Sequence, residues 1–206
     1  MNRGQAHTLE AFVAVLLLVS GIIFALQATA VTPLSASTSN QQIENQQRAI
    51  AADILAAADS DGSLKEATLC RYPASHNETP RQFVGTDENQ TSFVEGGPPS
   101  ECGGFGPLLN ETYDDRGIAY NVRVYTHLES GGMDDVNGSL DHMVDMGSPT
   151  DNAVTAGRTV VLYENDTLIT DDNVTVAESG LYQDRSATER GQIHAVIEVE
   201  VTVWRM

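Results

Sequence analysis

The hydrophobic pattern of the chain is dominated by one long run without charges, residues 11–31. As a helix, these 21 residues would be about 31 Å long, which matches the hydrocarbon core of a bilayer. Arg3 precedes the run, and basic residues favour the inner side of a membrane. The pattern therefore predicts a single-pass protein of the cell membrane, with membrane lipid around residues 11–31, the N-terminus inside and the C-terminal region outside.

The same run is also consistent with a secretory signal peptide that is removed after Ala30, because residues 28–30 form an A-x-A cleavage pattern. The apolar core of such a peptide spans about 7–15 residues, and this run is longer. A retained anchor, or a signal that is cut before the run, therefore fits the pattern better.

A second helix is predicted beyond the apolar run. Pro33 can end the first helix, and Ser39 or Asn40 can cap the next one. Apolar residues then recur at helical spacing until about Asp59: Ile43, Ile50, Ile54, Ala57 and Ala58. This face is narrow, so we expect the stalk helix to pack on one partner, either the domain that follows or a neighbouring subunit.

Alternation of apolar and polar residues in the second half of the chain predicts antiparallel strands. The predicted strands lie at 117–128, within 159–169 on both sides of a turn at 164–166, at 173–177 and at 193–204. In the last of them, one face is wholly apolar and the other is mostly polar. Residues 129–158 have little periodicity and are expected to form a long excursion between strands.

These elements predict an α+β fold in which a long N-terminal transmembrane helix and a stalk helix precede a small antiparallel β-rich extracellular domain. The predicted organisation is a short leader at 1–4, a transmembrane helix at 5–31, a linker and stalk helix at 32–62, and the β-rich domain at 63–206.

The charge balance of the chain argues against nucleic acid as a partner. The 206 residues include 29 Asp and Glu against 11 Lys and Arg, which gives a formal net charge of −18. Nucleic acid is not expected as a partner, because every phosphate contact needs a cation. Pairs of aspartates could bind calcium, but we favour a solvated acidic surface and expect no metal or cofactor. A single lysine, Lys65, among so many acids resembles the composition of proteins from halophilic archaea.

Two kinds of covalent modification are predicted outside the cell. Cys70 and Cys102, 32 positions apart, are expected to form a disulfide, with two independent buried thiols as the alternative. Asn-x-Ser/Thr acceptor patterns for glycosylation begin at Asn77, Asn89, Asn110, Asn137, Asn165 and Asn173. The alternative is that these residue types are simply common in polar loops.

No catalytic constellation is recognisable in the sequence. The five histidines are dispersed, and neither a nucleophile elbow nor a phosphate-binding glycine loop is present. We therefore do not expect an enzyme.

Arg3-Gly4-Gln5, followed by Thr8-Leu9-Glu10 and the apolar helix, resembles the class III signal of archaeal type IV pilins and archaellins. Residues 27–40 are similar to those of pilin-like membrane proteins of halophilic archaea. The resemblance implies that a prepilin peptidase cuts between Gly4 and Gln5, or one residue later. It also implies that Glu10 neutralises the new α-amino group of a neighbouring pilin subunit.

On this resemblance, the expected function is that of a pilin-like cell-surface protein, a structural or adhesive component of a surface filament or of its assembly system, such as a minor pilin or pseudopilin. A monomeric membrane-tethered extracellular binding domain is the first alternative. A secreted soluble protein released by cleavage at Ala30 is the second.

Overall fold

The computed structural model describes residues 3–76, 81–87, 90–126, 140–182 and 192–205, and gives only the backbone of residues 3–9, 27–40, 115, 140 and 171–173. The chain divides into two compact units, Met1–Ile43 and Glu44–Met206. The first unit is helical in its described part, and the second contains the sheets and the hydrophobic core.

Helix α1 includes Arg3–Ser60, so the predicted break at Pro33 and the predicted cap at Asn40 are both wrong. A proline inside a helix removes one hydrogen bond and crowds the preceding turn, but its fixed φ of about −65° is itself helical. The polar residues around it are tolerated in a helix as well. The linker and the stalk helix are thus parts of α1.

The prediction of a long N-terminal transmembrane helix is also wrong. In the part of the chain that the structure describes, no helix is long and apolar enough to cross a membrane. The large exposed apolar side chains of α1 extend from Phe12 to Leu26, which corresponds to only about 22 Å of helix, whereas the hydrocarbon core is about 30 Å thick. The sequence count reached 21 residues because it included the polar Gln27 and Thr29 and several alanines.

The C-terminal unit contains an antiparallel four-stranded sheet with the strand order β2-β1-β6-β3. Its strands are β1 (Ile118–Thr126), β2 (Leu140–Asp145), β3 (Val154–Tyr163) and β6 (Ile193–Arg205). β4 (Thr167–Leu168) and β5 (Asp171–Thr175) form a separate antiparallel pair. The antiparallel β-rich part of the predicted fold is therefore confirmed.

Short helices complete the C-terminal unit. They are α2 (Ser63–Leu69), α3 (Phe105–Tyr113) and α4 (Val176–Ser179), with 3-10 turns at Ser100–Cys102 and Asp114–Arg116. α4 begins with a capping box in which the Thr175 side chain and Glu178 satisfy each other's backbone N–H groups.

β6 is an interior strand and pairs with β1 and β3 along most of its length. The apolar face predicted for it is buried, with Ala195, Ile197, Val199, Val201 and Val203 at most 1% exposed. Glu198 and Glu200 on the other face are half-buried. The alternation along this strand therefore predicted its core face correctly.

Three of the predicted strand assignments are corrected by the structure. β2 lies inside residues 129–158, which were expected to contain no strand, and β3 begins at Val154 rather than near residue 159. β4 pairs with β5 and not with β3. β2 has only six residues and lies at a sheet edge, and so short an element gives little periodicity for a sequence pattern to show.

The C-terminal part of α1 joins the same core as the sheet. Ala51, Ile54, Leu55 and Ala58 are buried together with the apolar residues of β1, β3 and β6. The expected packing of the stalk region on the β-rich domain is thus confirmed. Arg158 of β3 donates hydrogen bonds from Nε and Nη2 to Oδ2 of Asp59, at 3.0 and 2.6 Å, and so ties the end of α1 to the sheet edge.

The predicted disulfide between Cys70 and Cys102 is confirmed, with a Cα–Cα distance of 5.4 Å. It joins the end of α2 to the 3-10 turn Ser100–Cys102, and both cysteines are buried. Closing a loop of this length in the unfolded chain contributes about 3–4 kcal/mol of stability. The bond therefore anchors a segment that contains little regular secondary structure.

Tyr113 and Tyr120 pack against each other in the core, with ring centroids 5.4 Å apart. The Tyr120 hydroxyl donates to Oδ1 of Asn110 at 2.8 Å, whereas the Tyr113 hydroxyl has no hydrogen-bond partner among the described residues. Burial raises the pKa of Tyr113 to about 12, and burial is also the main cause of the raised pKa of Tyr120. The two phenols thus share an environment but differ in hydrogen bonding.

This difference predicts opposite effects of the same substitution. Tyr120→Phe should lower the free energy of unfolding by about 1 kcal/mol, because it leaves Asn110 Oδ1 without its donor. Tyr113→Phe should leave the free energy of unfolding unchanged or raise it, because it removes a buried hydroxyl without a partner. Urea unfolding followed by the fluorescence of the single tryptophan, Trp204, measures both. Equal losses in the two variants would contradict the assignment.

Candidate functional site

One candidate site is the apolar segment of α1, defined here as residues 12–26. Its large side chains are between 47% and 75% exposed: Phe12, Val13, Val15, Leu16, Leu17, Leu18, Val19, Ile22, Ile23, Phe24 and Leu26. At about 100° of rotation per residue, these positions cover most of the helix circumference and not one stripe. A single partner on one side would therefore leave much of the segment in water.

The predicted assembly and processing residues lie at the start of the same helix. Gly4 and Gln5 belong to the helical backbone of α1, and Glu10 is exposed just before the apolar segment. Cleavage at Gly4–Gln5 and an assembly role for Glu10 stay predictions, since the structure describes one chain only.

The second candidate site is an open polar cleft of about 360 Å³ in the C-terminal unit. β2 contributes one wall of the cleft, and described residues of segment 71–92 contribute the other. Its lining residues are Arg71, Arg81, Gln82, Thr91, Ser92, Asp141, His142 and Asp145. Sequence reasoning missed the cleft, because β2 was not predicted and segment 71–92 contains no recognisable ligand-binding motif.

Backbone hydrogen bonds hold the two walls together. Phe93 N donates to the Met143 carbonyl at 3.0 Å, and Asp145 N donates to the Phe93 carbonyl at 2.7 Å. Phe93 thereby pairs with the outer edge of β2 in a parallel bridge at Val144. This bridge positions Thr91 and Ser92 beside the polar side chains of β2.

Arg71 forms the floor of the cleft and is 4% exposed. Its Nη1 donates to Oδ2 of Asp141 at 2.7 Å, and its Nε and Nη2 donate to the carbonyl of Arg81. The guanidinium lies 4.4 Å from the ring centroid of Phe83 and 5.3 Å from that of Tyr182. This buried cation is thus paired with a carboxylate and hydrogen-bonded by its other nitrogens, which is the condition for keeping a charge inside a protein.

The electrostatics of Arg71 follow from these contacts. Burial by itself would lower its pKa, but the interactions with Tyr182 and Asp141 outweigh burial, so the pKa is raised above its usual value. The guanidinium therefore stays charged at any ordinary pH. It acts as a fixed support that holds the Asp141 carboxylate in place.

Backbone strain is concentrated around this support. Arg81 (φ 63°) and Tyr182 (φ 50°) are the non-glycine residues with positive φ in the described part of the chain, and both contact Arg71. Such conformations cost of order 1–3 kcal/mol each and persist only where surrounding contacts impose them.

The remaining polar side chains of the cleft are partly exposed, but Nδ1 of His142 is buried and has no hydrogen-bond partner among the described residues. The side chains of Asp141, His142 and Asp145 are 33%, 33% and 42% exposed, and Nδ1 of His142 lies 3.5 Å from Oδ2 of Asp145. Among the described residues, no group of three His, Cys, Asp or Glu side chains is arranged to hold a metal ion. The cleft offers hydrogen-bond donors and acceptors rather than a recognisable catalytic set.

Comparison with known protein families identifies the family of the chain. Residues 3–203 match a family described as a family of unknown function, DUF7288. The chain belongs to this family. No curated protein and no solved structure matches the chain. The DUF7288 match includes both the apolar segment and the cleft, so the role of each must be argued from its own chemistry.

The predicted glycosylation sites of this DUF7288 protein differ in their surroundings. Asn77, Asn89 and Asn137 lie outside the described residues, and only the backbone of Asn173 is described. Asn110 is half-buried on α3, and its Nδ2 would lie only 3.5 Å from a Cβ placed on Gly96. Asn165 is exposed in the turn between β3 and β4.

We therefore expect glycosylation at Asn165 and not at Asn110. A glycan is attached through Nδ2, which is open to solvent in Asn165 but packed against the Gly96 loop in Asn110. Mass spectrometry of glycopeptides from the native protein measures the occupancy of both sites. Asn165→Gln should lower the mass of the intact chain by one glycan, and Asn110→Gln should not. A glycan on Asn110, or an unmodified Asn165, would contradict this prediction.

Proposed function

We propose that this DUF7288 protein is a pilin-like structural subunit of a cell-surface filament. Copies join through the apolar segment of α1 and display the unit Glu44–Met206 outside the cell. The observation that carries the proposal is the apolar segment, whose large side chains are exposed over most of the helix circumference. A helix that is apolar on all sides needs cover on all sides.

The free energy available from covering this segment is large. Full burial of one large aliphatic or aromatic side chain contributes roughly 1.5–3 kcal/mol. The eleven half-exposed side chains of the segment together represent a gain on the order of 10 kcal/mol or more. This gain is comparable to the cost of association, estimated at about 4–15 kcal/mol. Contacts with several neighbours can therefore offset the cost of association.

A bundle of identical helices suits the segment better than a dimer. Two helices in contact bury one stripe of each other, whereas the exposed side chains of this segment extend around the helix. Each helix must therefore contact several copies, as it does in the centre of a helical filament. The resemblance of residues 3–10 to the start of archaeal pilins supports the same arrangement.

The distribution of charge also supports assembly through α1. Residues 11–43 contain no charged side chain, and Arg3 and Glu10 cancel, so the formal charge of −18 belongs entirely to residues 44–206. The helical segments can approach one another without repulsion between like charges. The acidic units repel one another and stay solvated, and salt screens this repulsion.

Glu10 has a specific role in this proposal. A carboxylate at the end of the apolar segment gains Coulomb energy from the α-amino group of a neighbouring copy, because the bundle excludes water and lowers the local dielectric. Glu10 then sets the axial position of one helix against the next. On the single chain, Glu10 is exposed to solvent.

The C-terminal cleft favours a second candidate function, a surface binding domain that does not polymerise. The two candidates differ in what covers the apolar segment. In the filament, other copies of the chain cover the segment. In the monomeric binding domain, another partner such as lipid covers it.

A matched pair of substitutions tests the filament proposal. Val15 in the apolar segment and Val94 in the C-terminal unit are 58% and 54% exposed. Val15→Asn should lower the fraction of chain recovered in sedimentable filaments at least severalfold, because it places an amide in the helix bundle. Val94→Asn should leave that fraction unchanged. The total amount of chain in the cells serves as the control for expression.

Equal filament fractions in the two variants and the wild type would overturn the role of the apolar segment. A wild-type chain recovered only as a monomer bound to lipid would overturn the filament itself and favour the second candidate.

A further inference from the structure

We propose that the polar cleft between β2 and segment 71–92 binds a neutral saccharide, either free or as the end of a glycan. This inference goes beyond the filament proposal and does not depend on it, because the cleft lies entirely within the unit Glu44–Met206. A chain that never polymerised would have the same cleft.

The volume of the cleft restricts the ligand to a small one. About 360 Å³ is at the lower end of the range for small-molecule sites. The cleft is also open to solvent on one side, so a sugar ring could occupy it while a further ring or a linkage extends outward.

The lining residues match the hydrogen bonding of sugar hydroxyls. A hydroxyl group both donates and accepts, and the cleft offers acceptors, donors and groups that do both. The carboxylates of Asp141 and Asp145 accept hydrogen bonds, and the guanidinium of Arg81 donates them. Four further side chains can both donate and accept: Gln82, Thr91, Ser92 and His142. A ligand with several adjacent hydroxyls could use many of them at once.

The charges of the cleft disfavour ionic ligands. Two arginines and two aspartates line it, so their formal charges balance. An anion would lie against Asp141 and Asp145, and a cation would lie near Arg71 and Arg81. An apolar ligand fits no better, since every lining residue carries a polar or charged group.

Contacts within the chain hold several parts of the cleft in place. The ion pair with Arg71 holds Asp141, and the bridge of Phe93 to β2 positions the backbone of Thr91 and Ser92. The disulfide at Cys70 immediately precedes Arg71. Such preorganisation lowers the entropy lost on binding. The contacts of Arg81 and Tyr182 with Arg71 also maintain their strained backbone conformations.

The test measures sugar binding to the full chain in detergent by saturation-transfer difference NMR. The probes are glucose, galactose, mannose and N-acetylglucosamine, each also as its methyl glycoside. Glucosamine and glucuronate carry a positive and a negative charge on the same ring and serve as ionic controls. We expect saturable binding of at least one neutral sugar, and weaker binding of both charged rings.

Two cleft variants and a matched control locate the binding site. Gln82→Leu should raise the dissociation constant about fivefold to tenfold, as expected when one neutral hydrogen-bonding group is lost from a site. Thr91→Val should raise it as well. Thr159→Val, an exposed position on β3 at the opposite edge of the sheet, should not. Thermal unfolding checks that each variant is folded. If Gln82→Leu does not fold, the test rests on Thr91→Val.

The possible results of the binding test either support the proposal or overturn it. Binding of methyl glycosides indicates the end of a glycan, and binding of free sugars only indicates a free saccharide; both support the proposal. The proposal is overturned if no neutral sugar gives a saturable signal, if a charged ring binds more tightly, or if the folded cleft variants bind as the wild type does. Filament formation is not part of any readout, so failure here leaves the filament proposal untouched.

Discussion

Strand β6 is the element on which the C-terminal unit depends. It is flanked by β1 and β3, and its apolar face lies at the centre of the core. The C-terminal part of α1 and the aromatic residues of α3 and β1 complete that core. Since a shift of one residue would turn every side chain of a strand to the opposite face, the register of β6 decides which surface is buried and which remains polar.

The polar cleft follows from this arrangement. With β6 and β1 in the interior, β2 lies at one edge of the sheet, and its outer side is free to pair with Phe93. The irregular segment that contains Arg71 is then held against the edge by the disulfide and by the Arg71–Asp141 ion pair. A site of mixed polar groups results at a place where the sheet alone would expose a bare edge.

Much of the fold could be predicted from the sequence, for physical reasons that differ between elements. β1 and β6 each have one largely apolar face, so their alternation is plain. The chain has two cysteines, so one pairing was possible within it. β2 is short and lies at an edge, and the cleft depends on contacts between residues about 70 positions apart, such as Arg71 and Asp141. Such contacts leave no local pattern. The predicted transmembrane helix failed for another reason: a count of uncharged residues does not distinguish large apolar side chains from small or polar ones.

The two units solve the burial of apolar surface in different ways. The C-terminal unit covers its own core, whereas the described side chains of residues 12–26 are left exposed by the chain itself. In the proposed filament, other copies would cover these side chains. Since residues 11–43 carry no charge, such an assembly would be compatible with a strongly acidic protein.

The most direct measurement of this account is photo-crosslinking from one position in the apolar segment. Benzoylphenylalanine placed at Leu17, 69% exposed, reacts with whatever lies against the segment in intact cells. The account predicts a ladder of homo-oligomers from position 17 and none from the same group placed at Val94. A crosslinked monomer that carries lipid, or no adduct to another copy of the chain, would contradict it.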